Sequence, residues 1–381
     1  MKVIQLVGDS KYGGATYLII EWCKYLLAQG CEVDVLSTDA VTVRALNNIP
    51  KVKVIDDIYI PREINLRTDV QAFVKLWKLL LREKYDVVHT YTATPGVLGR
   101  IAAHISGTPA IFHHQAAWTV NEFSNFSERF FFTPLEFIAT IASTRGICVS
   151  YAVAKDAEKF CLAPRRKLVI IPNGIDAHPF IHATDADILR HQLNLDVNTL
   201  VIGTTGRLAS DKDFSTLLRA ANILRNLMDR PFVFVFIGDG PDRSMLETVA
   251  NELGVSDVIY FLGFRDDIPQ LLLGIDIFLT TSLREGLSIS IMEAMAAARP
   301  IVATSIPPNA ELIENEKTGL LVDIRSPEQV VRAIERFAHE PDFAARCGSS
   351  AREKVLREYT LSRMFQQTWN LYNEFLIDYD E

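Results

Sequence analysis

Short β-branched runs alternate with helix-spaced amphipathic stretches along this chain, and the alternation stops once and starts again. In the first half the runs are Val3 to Val7, Glu32 to Ser37, Val52 to Ile55, Asp86 to Thr90, Ala110 to His113 and Gly146 to Ser150. A helical pattern from about Ala15 to Gln29 follows the first of them. In the second half the runs are Leu200 to Thr204, Phe232 to Ile237, Val258 to Phe261, Ile277 to Thr280, Pro300 to Ala303 and Gly319 to Leu321. Strands separated by helices pair in parallel through crossover connections, so each half is predicted to be a doubly wound α/β sheet.

Between the two series lie Ile171-Pro172-Asn173-Gly174-Ile175-Asp176 and the polar stretch His178 to Asp187. Such Pro/Asn/Gly chemistry marks a connection, and the domain boundary is expected there. With 381 residues the chain is long enough to bury two cores. The segment from about Ser362 to Leu376 carries Met364, Phe365, Trp369, Leu371, Tyr372 and Phe375 at near-helical spacing, which predicts an amphipathic helix that docks on one of them.

Composition narrows the class. Hydrophobic residues make up 49% and charged residues 23%, without a low-complexity tract, which fits a soluble globular protein. The apolar run after Lys2 is too short for a signal-peptide core, and no run approaches the ~18 residues that cross a bilayer. A cytoplasmic location is expected. The five cysteines, without a CxxC pair, suggest neither a disulfide framework nor a zinc site. The net charge of −8 is uneven: residues 1–170 hold 20 Lys/Arg against 16 Asp/Glu, which leaves 19 against 31 for the rest. The first half, at +4, is compatible with a place beside anionic lipid headgroups at the inner face of a membrane. A pI of about 5.6 and the lack of a basic-aromatic pattern disfavour nucleic acid.

In doubly wound sheets ligands bind outside the carboxyl ends of the strands, where loop amides and helix N-termini meet anions. The strand Val3 to Val7 runs into Gly8-Asp9-Ser10-Lys11-Tyr12-Gly13-Gly14, where backbone can approach a phosphate or a sugar. Gly13-Gly14 is also compatible with a bare turn. The strand Leu200 to Thr204 leads to Gly206-Arg207 and Lys212, a guanidinium and an ammonium that suit a diphosphate and the charge it gains on departure. After Ile277 to Thr280 come Glu285, Gly286, Leu287 and Ser288, then a helix with Glu293. Carboxylates suit hydroxyls, and the three amides suit sugar oxygens or phosphate. Glu293 sits in apolar Ile-Met-Glu-Ala-Met, where a carboxylate without a partner is costly.

Gly206-Arg207 with Lys212, Gly238-Asp239-Gly240-Pro241, Phe261-Leu262-Gly263-Phe264, and Glu285 separated by seven residues from Glu293 together resemble glycosyltransferase family four. The Pro172-Asn173-Gly174-Ile175-Asp176 linker is similar to that family's as well. The resemblance spans nearly the whole chain and implies the GT-B fold: two Rossmann-like domains facing a central cleft. It implies an amino-terminal acceptor domain over 1–172, a donor domain over 173–359, and a terminal helix of about 360–381 that crosses back. It also implies retaining transfer from a nucleotide sugar without a metal or other cofactor. Arg207 and Lys212 would bind the donor diphosphate, Glu293 the ribose, and Glu285 with the amides of Gly286, Leu287 and Ser288 the donor sugar, while Gly13-Gly14 would lie close to the diphosphate or acceptor.

Three departures from the family pattern stand out. The family histidine falls at His114, Gln115 or Ala116 in Gly107-Thr108-Pro109-Ala110-Ile111-Phe112-His113-His114-Gln115-Ala116, and His114 is preferred, with His113 next. Ala298 replaces a usual glycine, which reads as a packing change. Pro307-Pro308 stand where many members carry paired glycines, which removes two amide donors and stiffens the loop.

The expected reaction is a hexosyl transfer in which the acceptor attacks the face the diphosphate leaves, with Arg207, Lys212, Glu285 and His114 as the catalytic set and uridine diphosphate as the family's nucleotide. The acceptor is a sugar, glycolipid or small-molecule hydroxyl, in polysaccharide or glycolipid assembly. A sugar-nucleotide epimerase of the same architecture and a catalytically silent, sugar-nucleotide-binding partner of a transferase are the alternatives. Asp185-Ala186-Asp187 and Asp211-Lys212-Asp213 have chelating spacing but read as a helix cap and as neighbours of the phosphate lysine. Phe130-Phe131-Phe132 suit a membrane-proximal acceptor, yet buried core aromatics are the favoured reading.

Overall fold

The computed structural model of the protein describes residues 1–9, 14–61, 65–185 and 187–377. The chain divides into two compact units: Met1–Pro172 with the segment from Ser362 onward, and Asn173–Leu361.

The first unit is built on seven strands: β1 (Lys2–Gly8), β2 (Glu32–Ser37), β3 (Val52–Ile55), β4 (Val87–Thr90), β5 (Ala110–Gln115), β6 (Arg145–Cys148) and β7 (Leu168–Ile170). They pair in the order β3-β2-β1-β4-β5-β6-β7, all parallel. The predicted strands are present, and β7 is an addition. Three residues long and preceded by Arg165-Arg166-Lys167, β7 has too little apolar length to show a period. One side of the sheet carries a core of Ile4, Leu6, Leu36, Leu76, Leu80, Val88 and Ile111.

The second unit holds β8 (Leu200–Thr205), β9 (Phe232–Ile237), β10 (Ile259–Gly263), β11 (Ile277–Thr280), β12 (Ile301–Thr304) and β13 (Leu320–Val322). Their order is β10-β9-β8-β11-β12-β13, again all parallel. Continuous apolar strands such as Phe232–Ile237 are buried on both faces, as a doubly covered parallel sheet requires. Strand order reverses between β1 and β4 and between β8 and β11, the two places where such sheets open a crevice.

The helix Leu361–Ile377 packs on the first unit. Phe365 meets Trp22 at 5.2 Å between ring centroids, Tyr372 stacks on Phe112 at 4.9 Å, and the Tyr372 hydroxyl lies 2.6 Å from His89 Nδ1. Within the second unit the two ends of the segment run side by side: Ile175 N donates to Tyr359 O at 2.9 Å and Leu361 N to Ile175 O at 3.0 Å. A Cβ on Gly174 would stand 2.3 Å from Thr360 O, so the close approach requires glycine at that position of the linker.

The phenylalanine run corrects its favoured reading. Phe130 and Phe131 lie on the helix Phe126–Ala142 and are 65% and 69% exposed. The inward face of that helix is polar: Glu136 and Thr140 are buried and take Arg100 Nη2 at 2.8 Å and Nη1 at 3.1 Å. Pro307-Pro308 open a short helix, Pro307–Leu312, where amides have no intrahelical partner to lose.

Candidate functional site

The loops that follow β8 and β9 are laced together through backbone atoms. Gly206 N donates to Ile237 O at 2.9 Å, Leu208 N to Asp239 O at 3.0 Å, and Asp242 N to Leu208 O at 3.0 Å. A Cβ on Gly238 would fall 2.0 Å from Gly206 O, and Gly238 and Gly206 themselves have φ of +140° and +142°. A side chain at Gly238 or Gly240 would strike this crossing, and at Gly206 the positive φ favours glycine, which is why the two motifs are glycine-rich.

The loops after β8 and β11 meet at the strand-order switch. Thr281 Oγ1 donates to Lys212 O at 3.1 Å and Asp213 O at 3.0 Å, and Leu283 N donates to Asp211 O at 2.8 Å. This staple brings Lys212 and Glu285 into an ion pair through Nζ and Oε1, with both side chains largely sheltered. Ser282 Oγ donates to the same carboxylate oxygen at 2.8 Å. Behind it, Thr304 Oγ1 donates to Ser282 O at 2.6 Å, and Asn309 Nδ2 donates to Thr304 O at 3.0 Å. Asn309 is fully buried, and its position in the Pro307–Leu312 helix makes the proline-bearing turn part of the support for Glu285.

Arg207 is the outlying member. Its side chain is 57% exposed and its Nη2 lies 3.8 Å from Asp211. Ser288 caps the helix Ile289–Ala296, its Oγ accepting from Ile291 N at 3.4 Å. Leu287 is buried and Gly286 half-buried beside it. Glu293 sits in this helix, half-buried, and its carboxylate makes no hydrogen bond or ion pair among the described residues. Burial without a partner pushes its carboxyl up to about 7.

The histidines divide between the two faces of β5. His113 is buried on one face, its Nδ1 2.8 Å from Thr90 Oγ1 and its ring against Gly96, where a Cβ would lie 2.4 Å from Cε1. Burial, then Arg100 and the neighbouring histidines, hold its pKa well below the usual imidazole range. His114 lies on the opposite face, half-buried, 5.6 Å between centroids from Tyr91. Gln115 is buried, its Nε2 donating to Ala117 O at 2.6 Å. Of the three, His114 has the access a substrate-facing group needs. Gly13 lies outside the described residues, and Gly14 opens the helix Gly14–Ala28.

The two aspartate pairs have local duties. Asp185 Oδ1 accepts from Asp187 N at 3.2 Å, and Asp187 makes no side-chain cap, contrary to the capping expectation, because its backbone is already helical. Asp213 Oδ2 accepts from Thr216 Oγ1 at 2.7 Å. Among the described residues no group of three or more His, Cys, Asp or Glu side chains is arranged to hold a metal ion.

Sequence reasoning missed Ser282, Thr304 and Asn309. A serine in a loop, a threonine at a strand end and an asparagine in a short helix carry no pattern until the fold gathers them.

Residues 12–178 match the family model described as Glycosyltransferase Family 4, and residues 185–354 match Glycosyl transferases group 1. The chain is 29% identical over 320 residues to the UDP-Gal:alpha-D-GlcNAc-diphosphoundecaprenol alpha-1,3-galactosyltransferase of Escherichia coli, covering 83% of this chain and 82% of that one. It is 22% identical over 380 residues to the capsular polysaccharide biosynthesis glycosyltransferase CapM of Staphylococcus aureus, covering 98% and 97%. The crystal structure of Anabaena HepE in complex with UDP and glucose superimposes with a TM-score of 0.85 at 22% identity, over 98% of this chain and all of that one. With two parallel-sheet units of this order, and with family models matching both halves, the chain belongs to glycosyltransferase family four and has the GT-B fold.

Proposed function

We propose that this glycosyltransferase moves a hexosyl group from a UDP-sugar to a hydroxyl of a lipid-linked saccharide, with retention of anomeric configuration and without a metal. The observation that carries the reading is the sheltered Lys212–Glu285 pair at the β8/β11 switch. A carboxylate held by both an ammonium and the Ser282 hydroxyl has a fixed direction, as a sugar-hydroxyl acceptor needs. The names of two similar proteins supply the donor and acceptor classes: HepE is described with UDP and glucose, and the Escherichia coli enzyme uses UDP-Gal and a diphosphoundecaprenol acceptor.

In this reading Arg207 and Lys212 bind the diphosphate, and Lys212 is shared between it and Glu285. Glu285 and the amides of Gly286, Leu287 and Ser288 take the donor sugar, and Glu293 takes the ribose hydroxyls. His114 orients the donor sugar or the acceptor. The acceptor oxygen bonds to the anomeric carbon on the face from which the diphosphate departs with its electron pair, and the acceptor proton passes to a diphosphate oxygen. Two cations then stabilise the growing negative charge, so catalysis rests on positioning and charge more than on a general base. Such an acceptor lies at the cytoplasmic face of a membrane, where the protein associates peripherally.

The test is a thermal-shift panel of nucleoside diphosphates and nucleotide sugars, with and without chelator, on wild type and Arg207→Ala/Lys212→Ala. The reading requires a chelator-insensitive shift with uridine diphosphate that the double variant loses, and a kcat that falls by about 10²–10³. No shift with any nucleotide would refute it. NMR of the product anomer tests retention.

A further inference from the structure

The helix Phe126–Ala142 is inside out. A helix on a sheet ordinarily turns its apolar stripe inward, but this one buries Glu136 and Thr140 and exposes Phe126, Phe130, Phe131, Phe137, Ile138 and Ile141. The arrangement is firmly held. Arg100 is buried and fully engaged: Nε donates to Gly96 O at 2.8 Å, Nη1 to Thr140 Oγ1 and Nη2 to Glu136. Asn125 and Glu128 form a capping box, and Arg129 ties the helix start to the carbonyls of Ser124, Asn121 and Glu122. Turning the helix over would strand a buried guanidinium, so the apolar face stays outward. Phe126 and Phe130 stack at 6.3 Å and Phe130 meets Phe131 edge-on at 5.5 Å, so the rings form one patch rather than scattered exposures.

The charges beside this face say what covers it. The helix Leu66–Glu83 packs on Ala93–Ile105, which packs on Phe126–Ala142, so the three form one layer on one side of the sheet. Leu66–Glu83 exposes Val70, Val74 and Leu81 together with Arg67, Lys75 and Lys78. These three cations make no ion pair among the described residues, whereas Asp69 is buried and Glu83 is paired with Lys2 at 2.7 Å. Apolar rings beside unpaired cations match an anionic lipid interface and would repel a second copy of the same face.

We infer that the outward face of Phe126–Ala142 inserts into the interfacial layer of an anionic membrane, with the Leu66–Glu83 cations alongside on the headgroups. The inference deepens the lipid-linked acceptor reading and rests on it for why a bilayer is present, not for which surface meets it.

Binding to unilamellar vesicles of equal parts phosphatidylglycerol and phosphatidylcholine, and to pure phosphatidylcholine, is measured by flotation with neither donor nor acceptor present. Wild type is expected to bind the anionic vesicles, less so as salt is raised. Phe130→Ser/Phe131→Ser/Ile138→Ser is expected to reduce binding about ten-fold or more while keeping the uridine diphosphate thermal shift and transfer to a short soluble acceptor. Lys75→Glu/Lys78→Glu should reduce binding and flatten its salt dependence. Phe131→Trp should gain fluorescence quenching from brominated lipid over wild type, a readout that needs no destabilising change. Unchanged binding of the serine variant, absence of wild-type binding, or a wild-type dimer that the serine variant converts to monomer would each overturn the inference. A lost nucleotide shift with intact vesicle binding would sink the donor reading and leave this one standing.

Discussion

Ser282 Oγ donates at 2.8 Å to Glu285 Oε1, the same oxygen that receives the Lys212 ammonium. The serine is fully buried, and its carbonyl accepts from Thr304, so its hydroxyl has a fixed direction. Ser282→Ala should leave Glu285 paired with Lys212 but free to rotate about that contact. The expected outcome is uridine diphosphate affinity within about two-fold of wild type and kcat/KM for the donor lower by about ten- to a hundred-fold. Steady-state kinetics beside calorimetric titration with the nucleotide checks it. Equal losses in both would assign Ser282 to loop folding instead.

Glu293 carries a pH signature. Its folded-state carboxyl sits at about 7, above the ordinary 4.5, because it is buried without a partner. The folded protein therefore holds a proton that the unfolded chain has released between those values, and stability falls as pH rises from about 4.5 through 7. Glu293→Gln should match wild type in stability near pH 4.5 and exceed it at pH 8 by roughly 1–3 kcal/mol. Urea unfolding at the two pH values measures the difference, and a gap of the same size at both would remove the titration as its cause. If ribose hydroxyls bind the ionised carboxylate, nucleotide binding near pH 7 should also release protons in wild type and not in the variant.

Ala298 has φ of +53° and follows the helix Ile289–Ala296. Its N–H donates to Met295 O at 2.9 Å and that of Arg299 to Ala294 O at 2.9 Å, a Schellman ending that favours glycine at this position. The departure from the family's glycine is thus a matter of backbone strain rather than packing. Ala298→Gly should stabilise the protein by about 0.5–1 kcal/mol, the left-handed cost relieved less the added freedom of the unfolded chain. A lower Tm in a thermal melt would contradict this.

Arg100→Ala should cost about 3–5 kcal/mol by leaving the Glu136 carboxylate buried alone. Arg100→Met/Glu136→Leu removes both charges and should recover most of that stability. Chemical denaturation of the single and double variants gives the coupling, and a double variant as unstable as the single one would show that the guanidinium packs rather than pairs.

The strands from Val3 to Val7 through Gly319 to Leu321 were legible because β-branched runs and helical stripes differ in period, and period is a local property. Gly206, Gly238 and Gly240 were legible as motifs, but their reasons, a positive φ at Gly206 and backbone crossing backbone at Gly238 and Gly240, came from the fold. The histidine assignment stayed open in sequence because His113 and His114 are adjacent, and only strand pairing determines which face each takes. The phenylalanine run misled because apolar residues are expected inside, and nothing local shows that Arg100, 36 residues away, holds Glu136 inward.

Sequence alone determined two parallel α/β sheets, the family, and a shortlist of charged residues at strand ends, since each depends on patterns within a few tens of residues. Tertiary structure decided which of those residues share an oxygen, which carboxyl is left without a partner, and which helix face meets solvent. Those outcomes depend on loops brought together across a sheet and on how burial divides between competing polar groups, and neither is encoded in the spacing along the chain.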